Sequence, residues 1–348
     1  MSDSDDFDER GWIAINDALE PIYGTQEPKH WGTILSYRLG GNDPIHGISA
    51  YRSQHVTDHL HYITYGFSEL WDKESDIPDI SGFGFELTFR LKISADAEPP
   101  NWVLSFLQNL GRYVFETGNA FGVGHTMPLN GPICDGMETE IQAITFVRDP
   151  ELQPILPPNG SVDFLQIVGL TLDEYEASQS WDSEELLQLM SKLDPLLITD
   201  TDRASYLNDP EFAEVVRKRT AEEGSSSGFM YSQSAAISID NQTRVFQIGA
   251  LWVPSLRTRL LGRLPFGNDL IVDSGEAAIR FEPSKGFSVE HDDGIWRVEL
   301  PKECWEELTN TLAPKAGTYR FKSMPEFLLV IESTPIKDSE GNVTSVVG

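Results

Sequence analysis

Three of the chain's seven histidines fall within the run His55-Val56-Thr57-Asp58-His59-Leu60-His61, where residue type and spacing come nearest to metal chemistry. On a strand, side chains two positions apart project to the same side, so His59 and His61 could share an ion as paired imidazoles do in zinc sites. The set is incomplete. Asp58 would lie on the opposite face, His55 could join only if the chain turns, and no second ligand cluster stands downstream. His55, His59 and His61 are therefore weak metal candidates, and hydrogen bonding is the plainer role for such a pair. Nucleophilic chemistry has less support: there is no Gly-x-Ser-x-Gly elbow, and neither Cys134 nor Cys304 has a histidine in its local run. The glycine-rich run Gly118–Gly124 lacks the lysine and Ser/Thr of a phosphate-binding loop and reads as an ordinary loop. No catalytic residue is assigned, and no enzyme activity or cofactor is expected.

The elements around these residues carry a stronger signal. In Ser81–Lys92, Phe83, Phe85, Leu87, Phe89 and Leu91 alternate with Gly84, Glu86, Thr88, Arg90 and Lys92. This predicts a strand with one buried and one open face. His61–Trp71 reads as a second strand, apolar on both sides and broken at Gly66. Upstream, Gly11–Tyr23 fits an amphipathic helix and Thr33–Leu39 a strand closed by the turn residues Gly40–Pro44. Downstream, Asn101 is placed to cap a helix carrying Val103, Phe106, Leu107, Leu110 and Val114. Strands follow at Ile141–Val147 and Val162–Leu170, then a helix ending before Pro195.

The 348 residues, 40% hydrophobic, suffice for two ordinary cores. Gly224-Ser225-Ser226-Ser227-Gly228 has the composition of a flexible linker. The predicted class is α+β, two mixed α/β-sheet domains joined by a short flexible linker: a disordered acidic tail over 1–10, domains at 11–222 and 231–348, and a linker at 223–230. The second domain shows strand patterns around one helix near Pro301–Leu312. No apolar run approaches the ~20 residues of a membrane-spanning helix, and the first residues are acidic rather than a secretion signal. A soluble cytoplasmic protein is expected. Two distant cysteines build no disulfide framework. With 26 Lys and Arg against 55 Asp and Glu, the formal charge of −29 opposes nucleic-acid contact; solubility alone accounts for it, and attraction to a basic protein partner is the sharper reading.

The spelling His61-Tyr62-Ile63-Thr64-Tyr65-Gly66-Phe67-Ser68-Glu69-Leu70-Trp71, a polar loop, and then Ser81-Gly82-Phe83-Gly84-Phe85-Glu86-Leu87-Thr88-Phe89-Arg90-Leu91-Lys92 resembles the N-terminal domain of the Suppressor of fused family. Further agreement runs in order through Leu39–Pro44, Ala50–Arg52, Leu110–Phe115, Phe164–Gly169 and Trp181, and more weakly through Arg257–Arg263 and Ala277–Phe281. The family binds other proteins without established catalytic activity. The resemblance implies a protein that clamps an extended segment of a partner between two domains, with Tyr65, Glu69 and Glu86 facing that partner. The short linker, where eukaryotic members carry a long insertion, implies a bacterial member, for which an immunity protein against a basic toxin is the expected role. A metal-dependent enzyme built on the three histidines and a scaffold protein are the alternatives. Oligomeric state is not specified.

Overall fold

Residues 9–35, 37–134, 136–337 and 342–348 are described by the computed structural model. The acidic tail expected over 1–10 lies outside them as far as residue 8, and helix α1 (Arg10–Tyr23) already begins at Arg10. Then come β1 (Lys29–Gly32), β2 (Gly47–Ser53), β3 (His59–Tyr65), β4 (Ile80–Lys92), α2 (Trp102–Thr117), β5 (Thr126–Pro128), β6 (Ile141–Arg148) and β7 (Ser161–Thr171). These strands form one mixed sheet in the order β1-β2-β3-β4-β7-β6-β5, with β4 and β7 parallel and the other pairs antiparallel.

The alternation in β4 sets the layers. Phe85, Leu87, Phe89 and Leu91 pack with Val103, Phe106, Leu107, Leu110 and Val114 of α2, because the 3–4 spacing of the helix presents one apolar stripe to the sheet. The opposite face is not open, as the pattern implied. Ile15 and Leu19 of α1 cover it together with Tyr51, Ile63, Tyr65 and Phe164, and Glu86, Thr88 and Arg90 are fully buried beneath. The period-2 pattern reports which side each residue faces, not whether that side reaches solvent.

Thr33–Leu39 departs from expectation. The strand lies upstream at Lys29–Gly32, while Tyr37–Leu39 is a single 3-10 turn and Ile34 is fully exposed. Asn101 precedes α2 without a side-chain capping bond, its backbone being helical already.

The chain divides into two compact units, one holding the residues up to Glu176 with Ser183–Pro210, the other Ala177–Asp182 with Glu211–Gly348. Helices α3 (Leu172–Ser180) and α4 (Ser183–Met190) follow β7, and α5 (Pro210–Glu223) leads into the second unit. That unit contains β8 (Phe229–Tyr231), β9 (Ala236–Asp240), β10 (Thr243–Gly249), α6 (Val253–Arg263), β11 (Leu270–Asp273), β12 (Ala278–Pro283), β13 (Ser288–Asp292), β14 (Ile295–Leu300), α7 (Lys302–Thr311), β15 (Gly317–Arg320), β16 (Phe327–Glu332), β17 (Thr334–Lys337) and β18 (Val343–Val347). Its sheets run β15-β16-β10-β9 and β13-β14-β12-β11-β8, with a β17-β18 hairpin. Both larger sheets and the apolar sides of α6 and α7 feed one core around Phe246, Leu256, Phe281 and Leu308.

The Gly/Ser run expected to be a free linker is anchored inside the second unit. Ser225 is buried, its N–H donates to the Gly262 carbonyl at 2.6 Å and its hydroxyl to the Gln179 carbonyl at 2.6 Å, while the Ser226 N–H reaches the Trp181 carbonyl at 2.7 Å. Composition alone describes a chain with no partners, and here the serines found them. The boundary between the units falls at Pro210/Glu211, at the first residue of α5, rather than at 223–230.

Candidate protein-binding surface

His59 and His61 project to the same side of β3, as their spacing requires, but what they meet there is a buried hydrogen-bond network. His61 Nε2 lies 2.9 Å from Asp149 Oδ2 and its Nδ1 2.7 Å from the Tyr23 hydroxyl, so both ring nitrogens are engaged. His59 Nδ1 meets the Thr57 carbonyl at 2.9 Å, and its Nε2 stands 3.2 Å from Arg90 Nη1. His55 lies apart, at the surface, paired with Glu151 at 2.9 Å. Among the described residues no three His, Cys, Asp or Glu side chains are grouped to hold a metal.

Arg90 is the centre of this network and is wholly buried. It donates to Asp149 at 2.9 Å and to Gln166 at 2.9 Å, and stands 2.9 Å from Glu151. Burial, followed by the Arg90 charge, pushes the His61 imidazole down to about 4. Burial alone would raise Asp149. His61, Arg90 and the Glu151 amide outweigh it and hold the carboxyl well below the usual carboxylate range. At neutral pH the group is thus a carboxylate paired with a guanidinium, with a neutral imidazole bridging to Tyr23 of α1.

The three residues expected to face a partner have a different task. Tyr65 is buried, stacked on Trp12 with ring centroids 4.4 Å apart, and its hydroxyl donates to Asn16 at 2.9 Å. Glu86 is fully buried: one carboxyl oxygen accepts from the amides of Gly66 and Ser68 and the Ser68 hydroxyl, at 2.9, 2.9 and 2.6 Å, and the other lies 2.7 Å from the Thr64 hydroxyl. Burial raises its pKa against these bonds. Neither side chain presents a surface to a partner, which corrects the placement implied for both by the resemblance and the open face inferred for Glu86 from alternation.

Glu69 is nearer the surface, but its carboxylate accepts from Lys73 at 2.9 Å and from the amides of Glu74 and Ser75 at 2.7 and 2.5 Å. Burial raises its pKa; these donors outweigh it, and the net shift is downward. Together Glu86 and Glu69 hold the 66–75 segment in place. Gly82 completes the arrangement: at φ +56° a Cβ there would stand 2.5 Å from the Phe67 carbonyl, which instead receives the Phe83 N–H at 2.9 Å. The segment so held forms one wall of an open cavity of about 330 Å³, whose remaining lining includes Tyr37, Phe83 and Phe115.

Comparison with known proteins places this architecture. The family model described as Suppressor of fused protein (SUFU) matches residues 41–204. The human Suppressor of fused homolog is 36% identical over 236 residues, which are 62% of this chain and 48% of that protein, and the mouse homolog matches equally. A chain in the solved Sufu–Fu complex is 32% identical with a TM-score of 0.56, covering 60% of this chain and 97% of its own length. This chain belongs to the Suppressor of fused family. Drosophila Suppressor of fused, at 21% identity, shares the fold over 93% of this chain and 97% of its own with a TM-score of 0.76. The chain spans about half the length of the curated relatives it matches.

The Suppressor of fused match runs from before β2 to beyond α4, and so contains most of the sheet, the network except Tyr23 and the cavity lining except Tyr37. A strand-adding partner needs an outer strand, and β3 and β4, where the sequence placed the partner, are each paired on both sides. The outer strands of this sheet are β1 and β5. Strand order is set by long-range pairing, so no local signal in the sequence pointed to β5.

Proposed function

We propose that the chain is a non-catalytic binding protein that takes up an extended segment of another protein, with β5 as the receiving strand. The match to a chain of the Sufu–Fu complex over 97% of that chain carries this reading. Topology supports β5. A segment adding there would gain main-chain hydrogen bonds, and the loop from β5 to β6 carries the exposed Glu138 and Glu140, which suit a basic segment. At the other outer strand, Lys29 of β1 is itself cationic and tied to Glu98 at 2.9 Å.

In its fuller form the proposal includes engagement of the segment by both units, a cytoplasmic setting, and, for a bacterial member, neutralisation of a basic toxin. The charge of −29 favours such a partner and disfavours nucleic acid. Affinity capture on the immobilised chain tests the reading. One reproducible, near-stoichiometric protein is expected, released progressively as salt is raised. Repeated capture of no protein would overturn it. Where a neighbouring gene encodes a toxin, co-expression should restore growth, and unrelieved toxicity would remove the immunity role.

A further inference from the structure

The cavity beside the 66–75 segment is built for more than packing. Its rings are fixed at steep angles: Phe83 and Tyr37 meet Phe115 edge-on at 5.0 and 5.7 Å, and Trp71 meets His46 at 4.8 Å. Phe83, Phe115 and Trp71 are only half-buried, and Tyr37 is 36% exposed. Aromatic rings left partly open to solvent present a negative quadrupole face to any cation that reaches them.

Carboxylates complete the wall. Glu69, Asp72 and Glu74 line the cavity, and among its described lining residues there is no lysine or arginine. Lys73 pairs with Glu69 at 2.9 Å and offsets that charge, while Asp72 and Glu74 stand exposed at the rim. The loop that supplies Tyr37 also turns Ile34, Leu35 and Leu39 to solvent. A free metabolite would leave those apolar side chains uncovered, whereas a polypeptide passing over the loop would cover them.

We infer that this cavity receives an arginine side chain from a basic, apolar-flanked segment of a partner protein. A planar guanidinium stacks on aromatic rings and donates two parallel hydrogen bonds to a carboxylate. A quaternary ammonium would use the rings but has no N–H for Asp72 or Glu74, so the paired chemistries select arginine. Glu86 acts here as a positioning residue: it touches no ligand, but its bonds to Gly66 and Ser68 hold the cavity wall. The inference rests on the protein-binding reading but concerns a site separate from β5, and the test uses a defined peptide instead of the partner.

The probe is acetyl-Leu-Arg-Leu-amide, with citrulline and trimethyl-lysine in place of arginine as comparisons. Binding to the full chain is followed by the Trp71 indole N–H resonance, assigned with Trp71→Phe. The arginine peptide should shift that resonance saturably, at least tenfold more tightly than the citrulline or trimethyl-lysine peptide. The pair of changes Asp72→Asn and Glu74→Gln should weaken it at least tenfold while the melting temperature stays near that of the parent. Equal binding of the arginine and citrulline peptides, no saturable shift, or undiminished binding by the folded double variant would each overturn the inference. None of these results bears on capture of a partner through β5.

Discussion

Replacing Glu86 by alanine is expected to destabilise the first unit severely, although alternation marks the residue as solvent-facing. The change strands the Gly66 and Ser68 amides and the Ser68 hydroxyl in a fully buried site. Each unmade buried bond costs about 1–3 kcal/mol, so a loss of roughly 3–5 kcal/mol follows. Glu86→Gln should cost under ~1 kcal/mol, because the amide oxygen keeps all three donors and the NH2 can donate to the Thr64 hydroxyl, which lies 3.2 Å from the Leu87 carbonyl. The same geometry accommodates the protonated acid. A carboxyl pKa raised in the folded state gives stability that is present below the unfolded value and is lost as pH rises through the folded one. Glu86→Gln should therefore gain on the parent as pH rises above about 4.5. Phe85→Ala, on the α2 face, should cost about 3–5 kcal/mol through the cavity it leaves. Urea melts of the three variants decide the facing of β4: a normal Glu86→Ala melt would show that the buried bonds carry little stability.

Asp149→Ala should be comparably damaging. Its carboxylate accepts from Arg90, His61, Thr88 and the amides of Glu151 and Leu152, and its removal leaves a buried guanidinium short of its counter-charge. Breaking one side of such a pair costs on the order of 3–5 kcal/mol. The network also sets an acid limit. An unfolded histidine protonates near pH 6.5 while His61 stays neutral to about 4, so stability falls as pH drops through that window, by roughly 3 kcal/mol. Asp149, depressed in the fold, adds its own loss as pH falls below its unfolded value. Burial also lowers His59 and His30, which steepen the same limb. His61→Gln should flatten the dependence of the urea midpoint on pH between 6.5 and 4, and an unchanged slope would mean that His61 does not titrate there.

Elements with strong local periodicity were legible. The 3–4 stripe of α2 and the alternation of β4 follow from contacts between near neighbours in sequence, and both the helix and the strand stand in the fold. Burial was not legible, because the cover over Glu86 and Arg90 comes from α1, some seventy residues upstream. The partners of Arg90 come from equally far along the chain, and only pairing between strands unites them. Helix α6 escaped notice because Val253–Arg263 mixes arginines with leucines and follows β10 after a single 3-10 turn at Ala250–Trp252. The Suppressor of fused spelling carried the family, and the sheet order then moved the candidate surface from β3 and β4 to β5 and the cavity.

The central claim, that an extended partner segment docks at β5 of the first unit, is tested most directly by amide hydrogen exchange on the full chain with and without its captured partner. Backbone amides paired into an added strand exchange more slowly in proportion to occupancy. The account predicts slowing at Thr126 in β5, with little change at Met127, whose amide faces β6, and in the already paired β3 and β4. Exchange at β5 that is identical in the free and saturated chain would contradict it.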